Sequence, residues 1–190
     1  RLIYISTTGV YGDCGGDWLD ETRPLAPASA RGVRRVSAER RLRVFGRRTG
    51  CRVSVLRAPG IYAADRLPLE RLRRGDPVLT AEEDVFTNHI HADDLARLLG
   101  LCLFRGGANR VYNACDDSGM PMGDYFDRVA DAFALPRPPR LGRSELSARL
   151  SPLSLSFMSE SRRIRNDRLK RELRVHLRYP TVADALRCLG

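Results

Sequence analysis

The chain has 190 residues, 43% of them hydrophobic, which is enough for one domain with a sizeable core and an appended lobe. Its net charge of +10 comes almost wholly from arginine, with Lys170 the single lysine, and the apolar residues between those arginines fall at helical spacing. That pattern, with no interleaved aromatic platform, describes solvated helix faces and argues against a nucleic-acid partner. The five scattered cysteines include no CxxC pair, so neither a disulfide framework nor a metal site is expected and a reducing cytoplasm fits best. No run of about 18 apolar residues marks a membrane span.

In chain order, LIYIS is a short apolar strand that needs neighbours on both sides, so the chain reads as a fragment whose preceding part supplies further strands. A loop rich in Gly, Pro and Asp follows. The next segment predicts a helix with Arg31, Arg35, Ala38, Leu42 and Phe45 on one stripe, closed by Gly50. CRVSVLRAPGIY is a second strand with Val53, Val55 and Leu56 as its apolar core and Pro59-Gly60 as its stop. Strand, helix and strand at this spacing form a parallel crossover, the unit of an α/β sheet covered on both faces.

A polar excursion comes next, with a short helix from about Leu67 to Arg74 and a small strand pair around Val78 and Val85. Asp93 or Asp94 is placed to cap the helix DDLARLLGLCLF, whose Leu95, Leu98, Leu99 and Cys102 make a buried face. RVYNACDD is a further short strand, and PMGDYFDRVADAFAL an amphipathic helix through Tyr125, Phe126, Val129 and Phe133. Beyond the connector PRPPRLG lie NDRLKREL, capped by Asn166, and a final helix, TVADALRCL.

Four stretches, STTGVYG, LRAPGIY, FTNHIHADDLA and VYNACDD, stand in the order of motifs of the extended short-chain dehydrogenases/reductases, the NAD(P)-dependent nucleotide-sugar epimerases, dehydratases and related reductases. The resemblance spans nearly the whole chain. It implies an α/β fold, the C-terminal part of a Rossmann-type doubly wound parallel sheet with a smaller substrate-binding lobe. Residues 1–62 and 88–116 would belong to the NAD(P)-binding domain, and 63–87 and 117–190 to the lobe. The glycine turn that seats the pyrophosphate, and the residue that selects NAD or NADP, would lie upstream.

By that resemblance Thr7 is the catalytic hydroxyl that bonds the substrate oxygen, although a Thr closing a strand also bonds local backbone. Ser6, Thr8, Arg57, Pro59 and Gly60 fall on the cofactor side. The family's Tyr and Lys, four residues apart on one helix face, are here matched by Arg31 and Arg35 in RGVRR. An arginine holds its proton above pH 12 and cannot act as the general acid/base. Arg35 could still bond the cofactor ribose and Arg31 grip an acidic substrate, or both could face solvent. Tyr62, followed by Arg66 at the same spacing, is a substitute proton donor, with Arg66 and His91 toward substrate. His89 and His91 alternate on an extended segment and do not chelate a metal together.

The function expected is hydride transfer with NAD or NADP on a small polar or nucleotide-sugar-type substrate. The alternative is a catalytically silent NAD(P)-binding sensor or scaffold of the same fold. A homodimer pairing through helices is the family's habit, and no membrane partner is expected.

Overall fold

The computed structural model describes residues 1–189. The first strand, β1 (Leu2–Thr7), is followed by β2 (Trp18–Leu19), helix α1 (Ala30–Thr49), β3 (Val53–Ala58) and β4 (Gly60–Tyr62). Then come α2 (Leu69–Arg73), β5 (Val78–Leu79), β6 (Phe86–Thr87), β7 (His89–His91), α3 (Ala92–Arg105) and β8 (Arg110–Asn113). The remainder is β9 (Met120–Pro121), α4 (Met122–Ala132), β10 (Arg140–Leu141), α5 (Arg143–Arg149), α6 (Pro152–Phe157), β11 (Arg163–Ile164), α7 (Asp167–Leu173) and α8 (Val182–Leu189).

Strand β3 is the centre of a parallel sheet ordered β1-β3-β8, with Leu2 beside Val53, Thr7 beside Ala58, and Val55 beside Val111. All six of its residues are buried, as a strand paired on both edges and covered on both faces requires. The two-residue alternation of the strands sorts the core into two layers. Leu2, Tyr4, Val53, Val55 and Val111 meet Leu42 of α1 on one face. Ile3, Leu56, Ala58 and Tyr112 meet Leu95, Leu98 and Cys102 of α3 on the other. Helices on opposite faces of a parallel sheet make the wound α/β architecture.

Helix α1 turns a different face inward from the one its stripe predicts. Gly32, Val36, Glu39 and Gly46 are buried, whereas Phe45 is 45% exposed. The apolar content of α1 is too low to set its rotation. An ion pair and two close backbone approaches set it instead. A Cβ on Gly32 would lie 2.8 Å from the Pro27 Cβ and 3.0 Å from the Gly9 carbonyl oxygen, so glycine lets the first turn sit on the loop after β1. The variant Gly32→Ala is therefore expected to lose about 1–3 kcal/mol despite its better helix propensity, read as a lower urea midpoint at unchanged slope.

Three further expectations change. Helix α3 is capped by His91, whose Nδ1 accepts from the Asp93 amide at 3.2 Å, while Asp94 is buried and accepts from the amides of Arg178 and Tyr179, both at 2.8 Å. The segments near Val78 and Val85 do not pair with each other. Val78 pairs in parallel with Arg140, and Phe86 pairs antiparallel with Pro121, because both are two-residue strands completed from later in the chain. Asn166 stands at the start of α7, but its amide donates to the Cys115 carbonyl and the Asp117 carboxylate.

A second core lies under the lobe, where Tyr62, Leu72, Val78, Tyr125, Phe126 and Val129 pack with Val182 and Leu186 of α8. Leu169 and Leu173 of α7, with Val175 and Leu177, enter the sheet's own core beside α3. Among the described residues, no helix is long and apolar enough to cross a membrane.

Candidate functional site

Strands β1 and β3 end side by side, Thr7 beside Ala58, and the chain continues through Thr8-Gly9 after the first and Pro59-Gly60 after the second. A crevice outside the carboxyl ends of parallel strands is where open α/β sheets bind ligands. A cleft of about 540 Å³ lies there. It is lined by Ser6, Thr7 and Thr8 at the end of β1, by Ser29, Arg31 and Arg35 at the start of α1, by Pro59 to Ile61, and by Phe86 to Asn88 with Glu160 and Arg162.

Thr7 Oγ1 accepts from the Gly9 amide at 3.2 Å, capping the short helical turn Thr8–Tyr11. A hydroxyl has one donor and two acceptor positions, so this local bond still allows the Thr7 proton to be donated. Ser6 is only 5% exposed, and its Oγ has no hydrogen-bond partner among the described residues. Arg35 lies one helical turn beyond Arg31. Its Nη1 donates to the Tyr4 hydroxyl at 2.8 Å, with the guanidinium 5.6 Å from the ring centroid. Arg162, also on the lining, donates from Nη1 to the Glu160 carboxylate at 2.6 Å and to the Gly12 carbonyl at 2.7 Å.

Of the residues singled out from the sequence, Ser6, Thr7, Thr8, Arg31, Arg35, Pro59 and Gly60 line this one cleft. Four others do not. Arg57 follows the parity of Val53 and Val55 and so points under α1. It is 3% exposed and makes a two-point bond to Glu39, Nε to Oε1 at 3.1 Å and Nη2 to Oε2 at 2.7 Å. Its Nη1 donates to the Tyr11 hydroxyl at 2.8 Å, which donates in turn to Asn113 Oδ1 at 2.7 Å. Burial pushes the Tyr11 hydroxyl up to about 12, with the Arg57 charge holding it back in part.

Tyr62 is buried in the lobe's core, its hydroxyl 3.4 Å from Asp116 Oδ2. Burial, and after it the Asp116 charge, lift this phenol far above the ordinary tyrosine range, the opposite of what a proton carrier near neutrality needs. Arg66 is exposed on the turn Ala64–Arg66. His91 is buried as the α3 cap, its ring 5.2 Å from that of Tyr62 and 4.1 Å from that of Tyr179.

The residues that sequence reasoning missed are Glu39, Glu160 and Arg162. Glu39 carried a signal, since it is the only acidic residue of an arginine-rich helix. Glu160 and Arg162 carried none. They reach the cleft through contacts about 150 positions apart, such as the bond from Arg162 to Gly12.

The chain belongs to the NAD dependent epimerase/dehydratase family, whose match covers residues 1–115. Among solved structures it is similar to a conserved protein of unknown function from Silicibacter pomeroyi, at 38% identity and a TM-score of 0.88 over 100% of this chain and 66% of that one. Two more distant likenesses show the shared fold. They are UDP-glucose 4-epimerase from Thermotoga maritima with UDP-glucose (21% identity, TM-score 0.77, 97% of this chain and 60% of that one) and dTDP-glucose 4,6-dehydratase from Bacillus anthracis in complex with NAD (18% identity, TM-score 0.76, 100% and 60%). The chain thus spans less than two thirds of the length of these structures. No curated protein sequence matches it.

The family implies a nicotinamide dinucleotide, and the residues present suit one. Ser6 offers a buried unpartnered hydroxyl, Arg35 a guanidinium braced by Tyr4, and Pro59-Gly60 a wall with little side chain to obstruct a flat ring.

Proposed function

We propose that the cleft belongs to a nicotinamide-dependent oxidoreductase or epimerase acting on a small polar or sugar-type substrate. Residues 1–62 and 88–116 would form its cofactor side, and 63–87 and 117–190 its substrate side. The observation that carries this reading is the convergence of Thr7, the Arg31–Arg35 turn and Pro59-Gly60 on one cavity at the carboxyl end of the sheet. A bound NAD or NADP would supply the acceptor or donor of hydride.

Thr7 would hold the substrate oxygen. Its hydroxyl is oriented by the Gly9 amide, so donation to a substrate carbonyl or alkoxide needs no reorganisation. Ser6 and Arg35 would bond the cofactor's ribose and carboxamide region, and Pro59-Gly60 would support the ring. No tyrosine lines the cleft among the described residues, and Arg31 holds its proton. Among the described lining residues Glu160 is the one carboxylate, paired with Arg162 at 2.6 Å.

The test is fluorescence titration of the full-length protein with NADH and NADPH, followed by turnover assays on a panel of carbonyl and sugar substrates. Thr7→Val is expected to bind the dinucleotide normally and to lose about 100-fold in kcat/KM. A second reading, a silent dinucleotide-binding sensor, is favoured by Arg31 standing where an acid/base phenol is needed. Dinucleotide binding with no turnover across the panel, and no change on replacing Thr7, would select it.

A further inference from the structure

We infer that Asn88 is a positioning residue that ties the cleft's cofactor side to its substrate side: its main chain holds Gly60, and its side chain holds the arm of residues 160–164. It rests on the reading proposed above, and concerns what a dinucleotide seated against Pro59-Gly60 does to the arm that carries Glu160 and Arg162.

Asn88 joins β6 to β7, lines the cleft and is 6% exposed. Its carbonyl accepts from the Gly60 amide at 3.2 Å, just ahead of the parallel pairing of Gly60 with His89. Its side chain serves a different element. Nδ2 donates to the Arg162 carbonyl at 2.9 Å, and Oδ1 accepts from the Ile164 amide at 3.0 Å. In an extended chain the carbonyl of one residue and the amide of the residue two further on face the same edge, so one side-chain amide can stand in for a neighbouring strand. The opposite edge is paired with β2, Arg163 donating to the Asp17 carbonyl at 3.0 Å and Arg165 to the Leu19 carbonyl at 2.8 Å. Asn88 thus completes β11 on the edge that β2 leaves open.

The arm has a second hold in the loop after β1. Arg162 Nη1 bonds the Gly12 carbonyl, and the Ser161 amide donates to Asp13 Oδ1 at 2.7 Å. Of the two holds, Asn88 is the one that also bonds Gly60. A ligand that restrains Gly60 therefore restrains Asn88, and through its side chain the backbone of Arg162 and Ile164. Ordering of a shared element couples two sites in this way without any change of shape. Removing the Asn88 side chain leaves its main-chain bond to Gly60 available, so the two holds can be separated.

The experiment is amide hydrogen exchange on the full-length protein, with and without saturating NADH or NADPH, for wild type, Asn88→Ala and Asn88→Asp. The reporter is the Ser161 amide, whose acceptor is Asp13, so it senses movement of the arm rather than loss of its own bond. Asn88→Ala removes both side-chain bonds. Asn88→Asp keeps an acceptor for Ile164 and sets a carboxylate oxygen against the Arg162 carbonyl. Without ligand, both variants should exchange Ser161 about 5- to 30-fold faster than wild type, with Val55 and Leu56 of the central strand little changed. In wild type a bound dinucleotide should slow Ser161 by at least about 5-fold, an effect lost in both variants, while dinucleotide affinity read by fluorescence changes less than about 3-fold.

Unchanged Ser161 exchange in the ligand-free variants would overturn the inference, as would equal acceleration at Ser161, Val55 and Leu56, which marks a general loss of stability. A dinucleotide that binds wild type without slowing Ser161 also overturns it. So does a slowing that persists in both variants, which assigns the coupling to the loop after β1. Absence of dinucleotide binding sinks the oxidoreductase reading alone, since the ligand-free comparison still decides whether Asn88 holds the arm.

Discussion

Glu39→Ala is expected to lower the unfolding free energy by about 3–5 kcal/mol. The magnitude follows from what remains behind. Arg57 sits on the central strand with its side chain 4% exposed and Glu39 opposite it 3% exposed, so removing the carboxylate leaves a guanidinium that can neither lose its proton nor reach water. Tyr11, whose hydroxyl accepts from Arg57, would lose the support that fixes its bond to Asn113. Because Glu39 also sets the rotation of α1, the same change should displace Arg31 and Arg35 and weaken ligand binding in the fraction still folded. Replacing both partners by methionine removes the charges together and should recover most of the lost stability. Chemical denaturation of the single and double variants gives the answer. A single variant within about 1 kcal/mol of wild type would show that the pair does not hold the helix.

The second large effect is a pH dependence concealed by cancellation. Burial raises the Asp116 carboxyl from 3.8 to about 7 and lowers the His89 imidazole from 6.5 to about 3. The folded state therefore favours protonated Asp116, whose contribution is full below about pH 4 and lost as pH rises to 7. It favours neutral His89, whose contribution is absent below about pH 3 and complete above 6.5. Each shift corresponds to about 4–5 kcal/mol, and between pH 4 and 6.5 the two slopes oppose each other. The groups are neighbours, the Asp116 amide donating to the His89 carbonyl at 2.7 Å.

Relative to wild type, Asp116→Asn should therefore gain stability as pH rises from 4 to 7. His89→Phe, an aromatic replacement for the ring that stacks on Tyr125 at 4.1 Å, should gain stability relative to wild type as pH falls from 6.5 toward 3, because only wild type then gives up the contribution of a neutral buried imidazole. Urea midpoints measured at half-unit pH steps test both. Parallel profiles for wild type and the two variants would show that neither group titrates differently in the folded state.

The wound sheet was legible in the sequence because β1, β3 and the α1 crossover are written locally, in a run of β-formers, a capped helix and a second such run. Thr7, Arg31, Arg35, Pro59 and Gly60 were legible for the same reason, each lying at the end of one of those elements. Arg57 and Tyr62 were not, because their position beside Pro59-Gly60 says nothing of direction. Strand parity sends the first beneath α1, and the lobe's aromatic core takes the second. The rotation of α1 was illegible because a buried acid rather than an apolar stripe sets it.

The pairing of β2 with β11 joins Trp18 and Leu19 to Arg163 and Ile164, and the guanidiniums of Arg163 and Arg165 lie 5.3 and 5.5 Å from the Trp18 ring. During synthesis the earlier of these strands leaves the ribosome with no neighbour, and at ordinary elongation rates it waits on the order of ten seconds for the later one. The arm that brings Glu160 and Arg162 to the cleft arrives with that second strand, so the nascent chain cannot complete the cleft's lining until this later segment has been made.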